Sequence, residues 1–117
     1  MKKVLVIDDA AFMRMSIKRM LENSGFEVVG EAEDGKAGIA KFQEVLPDIV
    51  TLDITMPKMD GLQTLKAIKE IDPKANIVMV SAMGQEQKVR EAVMLGAKSF
   101  IVKPFEEKVL IGALEKI

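Results

Sequence analysis

A chain of 117 residues, 49% of them apolar, with a formal charge of −1 is the size of one domain that buries about two-thirds of its unfolded surface without disulfides or metals as staples. It holds no Cys and no His, which excludes disulfides, zinc–thiolate sites, thiol nucleophiles and an internal histidine base or phosphocarrier. Its 17 Lys and Arg are scattered among 18 Asp and Glu, so nucleic-acid binding is not expected; no apolar run nears the roughly 20 residues of a membrane span and MKKVLVIDD does not read as a signal peptide, so a cytoplasmic protein is expected.

KVLVI opens the chain with Val4, Leu5, Val6 and Ile7, an unbroken apolar run rich in β-branching that predicts a strand buried on both faces. It delivers Asp8 and Asp9 to its carboxyl end. Two adjacent carboxylates repel, and burying them is costly unless a cation sits between them; the alternative is that Asp9 caps the helix that follows. That helix is predicted from about Ala11 to Asn23, with Met13, Ile17, Met20 and Leu21 on one face and Gly25 as its stop. FEVVGEA is a second strand, followed by a helix that carries Ile39, Phe42 and Leu46 and ends at Pro47. DIVTL is the third strand and runs into Asp53. The turn-rich TMPKMDG follows, with Gly61 free to take positive φ, and GLQTLKAIKEID then spaces Leu62, Leu65, Ile68 and Ile71 by three along a helix.

NIVMVSA is the fourth strand, ending at Ser81, and a helix from about Gln85 to Leu95 turns Val89, Ala92 and Val93 inward and Met94 away, with Gly96 after it. SFIVK is the fifth strand and carries Lys103 and Pro104 at its end; Lys-Pro admits a cis peptide. The last helix runs from Glu106 towards Ile117 with Leu110, Ala113, Leu114 and Ile117 as its core stripe and Val109 on the flank. Gly112 in mid-helix costs about 1 kcal/mol relative to Ala, for which a close approach would compensate.

Strict alternation of five strands and five helices predicts a single α/β domain over residues 1–117, a doubly wound parallel sheet with right-handed crossovers and helices on both faces. Ligands of such sheets collect outside the carboxyl ends of the strands. Those ends here carry Asp8 and Asp9, Asp53, Ser81 and Lys103. Three carboxylates around a small space suit a hard divalent cation, and an all-oxygen set favours Mg²⁺, with Mn²⁺ as the alternative, over zinc. A carboxylate left accessible beside that metal can act as nucleophile, with Lys103 neutralising charge on an incoming phosphoryl group and Ser81 donating a hydrogen bond.

With VLVIDDAAFMR, DIVTLDITMPKMDG, VMVSAMG and FIVKPF in this order, the whole chain resembles a bacterial response-regulator receiver domain, and within that family the chemotaxis regulators. The resemblance implies the flavodoxin-like strand order 2-1-3-4-5. It implies that Asp53 is the phosphoacceptor, that Asp8, Asp9 and Asp53 hold the metal with the Thr55 backbone carbonyl, and that Lys103 contacts the phosphoryl group. Ser81 corresponds to the switch hydroxyl and Phe100 to the switch aromatic; where relatives often have Tyr, Phe100 has no hydroxyl to offer a partner. The implied phosphodonor is a histidine kinase, so the missing His belongs to another protein. The implied output is a phosphorylation-dependent surface read by a target, a flagellar motor switch protein in the chemotaxis case, by a monomer that is a signalling domain rather than an enzyme. A receiver cut from a longer regulator such as a transcription factor is the alternative. An aspartate-nucleophile phosphatase is more remote, because the second acid such enzymes need two residues after the nucleophile is Thr55 here. A flavin carrier lacks Trp and Tyr to stack the ring, and a nicotinamide domain lacks GxGxxG.

Overall fold

Each apolar run forms a strand and each periodic stretch a helix in the computed structural model, which describes residues 1–117. In chain order the elements are β1 (Lys3–Ile7), α1 (Ala11–Asn23), β2 (Glu27–Ala32), α2 (Gly35–Val45), β3 (Ile49–Asp53), α3 (Gly61–Ile71), β4 (Ile77–Ser81), α4 (Glu86–Met94), β5 (Ser99–Val102) and α5 (Glu107–Glu115). All five strands pair in parallel in the order β2-β1-β3-β4-β5, as the resemblance implied.

The continuous apolar runs follow from two cores, one on each face of the sheet. Side chains alternate along a strand, so Leu5 and Ile7 join Val50, Leu52, Phe42, Leu65 and Ile68 on the side of α2 to α4, while Val4 and Val6 join Ile17, Leu21, Leu110 and Leu114 on the side of α1 and α5. Every residue of β3 and β4 is buried. Because β1 lies between β2 and β3, the chain direction across the sheet reverses there, and the carboxyl ends of β1 and β3 flank the crevice where such folds bind ligands.

Several apolar positions depart from their expected places, each for a geometric reason. Leu46 does not continue the α2 stripe: Pro47 disfavours helical backbone before it, and Leu46 turns left-handed at φ 47° and is exposed. A spacing of three advances about 300°, so the α3 stripe drifts by about 60° per step, and Ile71 has rotated off the core that Leu65 and Ile68 fill. On α4 the inward direction lies between Val89 and Ala92, which leaves Val93 turned about 70° away and half exposed. The expected close approach at Gly112 is absent, since an added Cβ would meet nothing within 4 Å. Gly25 and Gly96 do end their helices at positive φ, 84° and 107°.

Candidate functional site

The sheet's own hydrogen bonds extend to the rim and place the candidate side chains. The Asp8 N–H donates to Ala32 O (3.0 Å), the Ile54 N–H to Val80 O (3.1 Å) and the Lys103 N–H to Ser81 O (2.7 Å), so the chain after β1, β3 and β5 is still held by its neighbour. Gly61 serves here through packing, not positive φ. Its N–H donates to Ile54 O at 2.7 Å, and a Cβ on it would stand 2.2 Å from the Asp53 carbonyl oxygen, so only glycine lets α3 begin directly against the backbone of Asp53. The left-handed residue of that loop is Lys58, at φ 67°. The Lys103–Pro104 peptide is cis.

Asp8 is buried. Its Oδ1 accepts from the Ala10 N–H at 2.8 Å, and the Asp8 carbonyl accepts from Arg14 Nη1 at 2.7 Å, while Arg14 Nε pairs with Glu31 at 3.4 Å. Asp9 does not cap α1, whose N-cap is Ala10 with no side-chain cap; Asp9 stays exposed at the rim. Lys103 Nζ lies between the two buried acids, 3.4 Å from Asp8 Oδ2 and 3.5 Å from Asp53 Oδ1. One ammonium does not balance three carboxylates. The Asp53 pKa accordingly rises from 3.8 to about 6: burial is the largest cause, the Asp8 carboxylate adds to it, Lys103 opposes it, and Asp9 adds a further increment.

One carboxylate oxygen from each of Asp8, Asp9 and Asp53 lies within 4.8 Å of the others. These residues fit a hard divalent cation: every donor is an anionic oxygen, no sulfur or imidazole is present, the exposed Asp9 leaves a way in, and the unbalanced charge is of the sign a cation removes. Ser81 lies on the same rim one strand over and is buried, with its Oγ donating to Ile101 O at 3.4 Å, towards β5. Phe100 on the edge strand β5 is 45% exposed, its ring turned outward. Beside it opens a groove of about 750 Å³ lined in part by Ser81, Met83, Val89, Val93, Met94 and Phe100.

The hydroxyl of Thr55 accepts from Gln85 Nε2, and Gln85 Oε1 accepts from the Ala82 N–H at 2.7 Å. Sequence reasoning did not single out Gln85. Its one signal is its place four residues after Ser81, at the start of a helix, where a glutamine reads as an ordinary polar surface residue. Arg14 was missed likewise, as a charge in an amphipathic helix.

Residues 4–115 match the family model of the response regulator receiver domain. The chain belongs to that family. Among curated receiver domains it is 52% identical to the chemotaxis protein CheY of Thermotoga maritima, over 99% of this chain and 97% of that protein, and 55% identical to CheY of Listeria monocytogenes, over 99% and 98%. Among solved structures it resembles a chain of the CheX–CheY–BeF3–Mg²⁺ complex from Borrelia burgdorferi, with a TM-score of 0.94 at 38% identity over 98% of this chain and 87% of that one. Chemotaxis protein CheY4 of Vibrio cholerae superposes at a TM-score of 0.92 with 31% identity, over 100% and 98%. This receiver domain is thus a signalling domain of the two-component response regulators, with CheY-like relatives. No helix in it is long and apolar enough to cross a membrane.

Proposed function

We propose that this receiver domain takes a phosphoryl group onto Asp53 from a phosphohistidine of a sensor kinase and thereby changes the surface that a target protein reads. The observation that carries the reading is the convergence of Asp53, Asp8, Asp9 and Lys103 at the point where the strand order reverses, with Asp53 the buried acid whose pKa lies near 6. Near neutral pH such a group is mostly ionised yet more basic than an ordinary carboxylate, and both properties favour a nucleophile.

An oxygen of Asp53 attacks phosphorus. The P–N bond to the donor imidazole breaks with its electron pair kept by nitrogen, which takes a proton. Lys103, already 3.5 Å from Asp53 Oδ1, moves its charge from the two carboxylates towards the phosphoryl oxygens. Asp8, Asp9, Asp53 and the Thr55 backbone carbonyl are the groups proposed to hold Mg²⁺, or Mn²⁺ in its place, which would supply charge neutralisation there. Hydrolysis reverses the charge shift: water adds to phosphorus and releases a proton to solvent, the P–O bond to Asp53 breaks with its electron pair returning to the carboxylate, and inorganic phosphate leaves. A Mg²⁺-containing relative of 38% identity supports the metal assignment.

The buried Ser81, its hydroxyl turned towards β5, is the element that a phosphoryl group can recruit. Its 3.4 Å bond to Ile101 O is long and readily exchanged for a charged acceptor. Movement of Ser81 towards Asp53 vacates room beside Phe100, whose ring then turns inward and fills part of the 750 Å³ groove, altering the exposed apolar surface to which Met94 and Phe100 contribute. The CheY relatives favour chemotaxis as the setting, with a flagellar motor switch protein as target and the cytoplasm as compartment. Incubation with acetyl phosphate and Mg²⁺ followed by intact-mass measurement tests the reading. The wild-type chain should gain one phosphoryl group and Asp53→Asn none; equal gain by the variant refutes the acceptor assignment.

A further inference from the structure

Gln85 occupies the N-cap position of α4 and caps nothing there. Its carboxamide instead spans the rim, accepting from the backbone N–H of Ala82 with one end and donating to the hydroxyl of Thr55 with the other. Ala82 follows the buried Ser81, and Thr55 stands two residues after Asp53. One side chain therefore joins the loop after β3 to the loop after β4 across the mouth of the site. Gly84, at φ 88° between Ala82 and Gln85, takes the left-handed backbone that lets the β4–α4 loop turn back so that Gln85 reaches the Ala82 N–H.

We infer that Gln85 is a positioning residue that fastens the two rim loops in the resting state, so that opening its clasp is part of what phosphorylation of Asp53 must accomplish. The inference rests on the phosphoacceptor reading given above. Ser81 Oγ can leave Ile101 O by rotation about its Cα–Cβ bond, but the Ala82 N–H beside it is committed to Gln85 Oε1 and becomes free for a phosphoryl oxygen only when the clasp opens. As long as Gln85 holds both the Ala82 N–H and the Thr55 hydroxyl, the β4–α4 loop stays tied to the loop after β3. A helix-start residue that serves loop tethering forgoes the capping that Ser or Asp would supply, so the helix itself gains nothing from Gln at this position.

The test uses fluoroberyllate, which on an aspartate oxygen stands in for the phosphoryl group, titrated calorimetrically in saturating Mg²⁺. Gln85→Ser removes the clasp while providing an N-cap for α4, and Gln85→Ala removes it without one. Both should bind fluoroberyllate about three- to tenfold more tightly than wild type, the span that one or two lost hydrogen bonds of ordinary strength allow. Their affinity for Mg²⁺ alone should be unchanged, and Gln85→Ser should melt no lower than wild type. Thr55→Val should tighten fluoroberyllate binding in the same sense, and adding it to Gln85→Ala should bring no further gain. A residue with a merely structural role gives the opposite signs, weaker binding and a lower melting temperature. Unchanged or weaker fluoroberyllate binding by the Gln85 variants, beside a wild type that binds, overturns the clasp alone. Failure of the wild type to bind overturns the phosphoacceptor reading and the clasp with it.

Discussion

Replacing Asp53 with Asn removes a charge that the metal-free fold holds at a cost, and that cost follows from the site's electrostatics. Burial and the carboxylates of Asp8 and Asp9 together outweigh Lys103 and raise the Asp53 pKa from 3.8 to about 6, a differential of about 3 kcal/mol between folded and unfolded chains. Because the folded state binds this proton more tightly than the unfolded state, the associated stability is fully present below pH 3.8, is lost as pH rises through about 6, and stays lost above it. Asn is neutral at every pH and nearly the same shape. In EDTA, Asp53→Asn should therefore match wild type near pH 3.5 and exceed it by about 3 kcal/mol at pH 7.5, which for a chain of this length raises Tm by about 10 °C. Urea titrations followed by far-ultraviolet circular dichroism measure this in a chain with no Trp or Tyr to report fluorescence. Saturating Mg²⁺ should narrow the gap, since binding stabilises the wild type preferentially. A variant no more stable than wild type at pH 7.5, or a gap that does not change with pH, would refute the reasoning.

Asp9→Ala should abolish the Mg²⁺-dependent rise in Tm with little effect on the metal-free protein, because Asp9 is exposed and makes no cap; a shift equal to that of wild type removes Asp9 from the metal site. Lys103→Ala should still accept phosphate by intact mass while losing the phosphorylation-dependent gain in target affinity; equal target affinity for the phosphorylated variant and wild type contradicts that coupling. Gly112→Ala should stabilise α5 by about 0.5–1 kcal/mol in denaturant titrations, since the new methyl meets open space and the unfolded chain loses freedom; a destabilised variant would show that the helix packs more tightly there. Thr51→Val should raise stability by about 1 kcal/mol, because the buried Thr51 hydroxyl has no hydrogen-bond partner; a loss of stability would mean the hydroxyl is paired.

What the sequence determined by itself was the local pattern and its consequence at each strand end. Runs such as Val4–Ile7 and Ile49–Leu52 can be buried on both faces only in a covered parallel sheet, and the acids that terminate them are then carried to one rim. The order of the strands was a different matter: periodicity says that strands are parallel, not which are neighbours, and the order came from the family resemblance before the pairings displayed it. Only the tertiary structure decided how the rim is arranged. The Asp53 pKa sums burial with charges from beyond β1 and beyond β5, the turn of the buried Ser81 hydroxyl towards β5 depends on a carbonyl of that strand, and Gln85 gains its place from a hydroxyl thirty residues away. The same holds for Gly61, whose backbone is ordinary and whose lack of a side chain matters only because the Asp53 carbonyl lies where a Cβ would be. Apolar spacing announces a helix face but not its rotation, so Val93 and Ile71 went outward once α4 and α3 had settled on the sheet. Patterns within one turn or one strand are set by covalent geometry and side-chain type, whereas orientation at a site is set by groups that meet only after the sheet has closed.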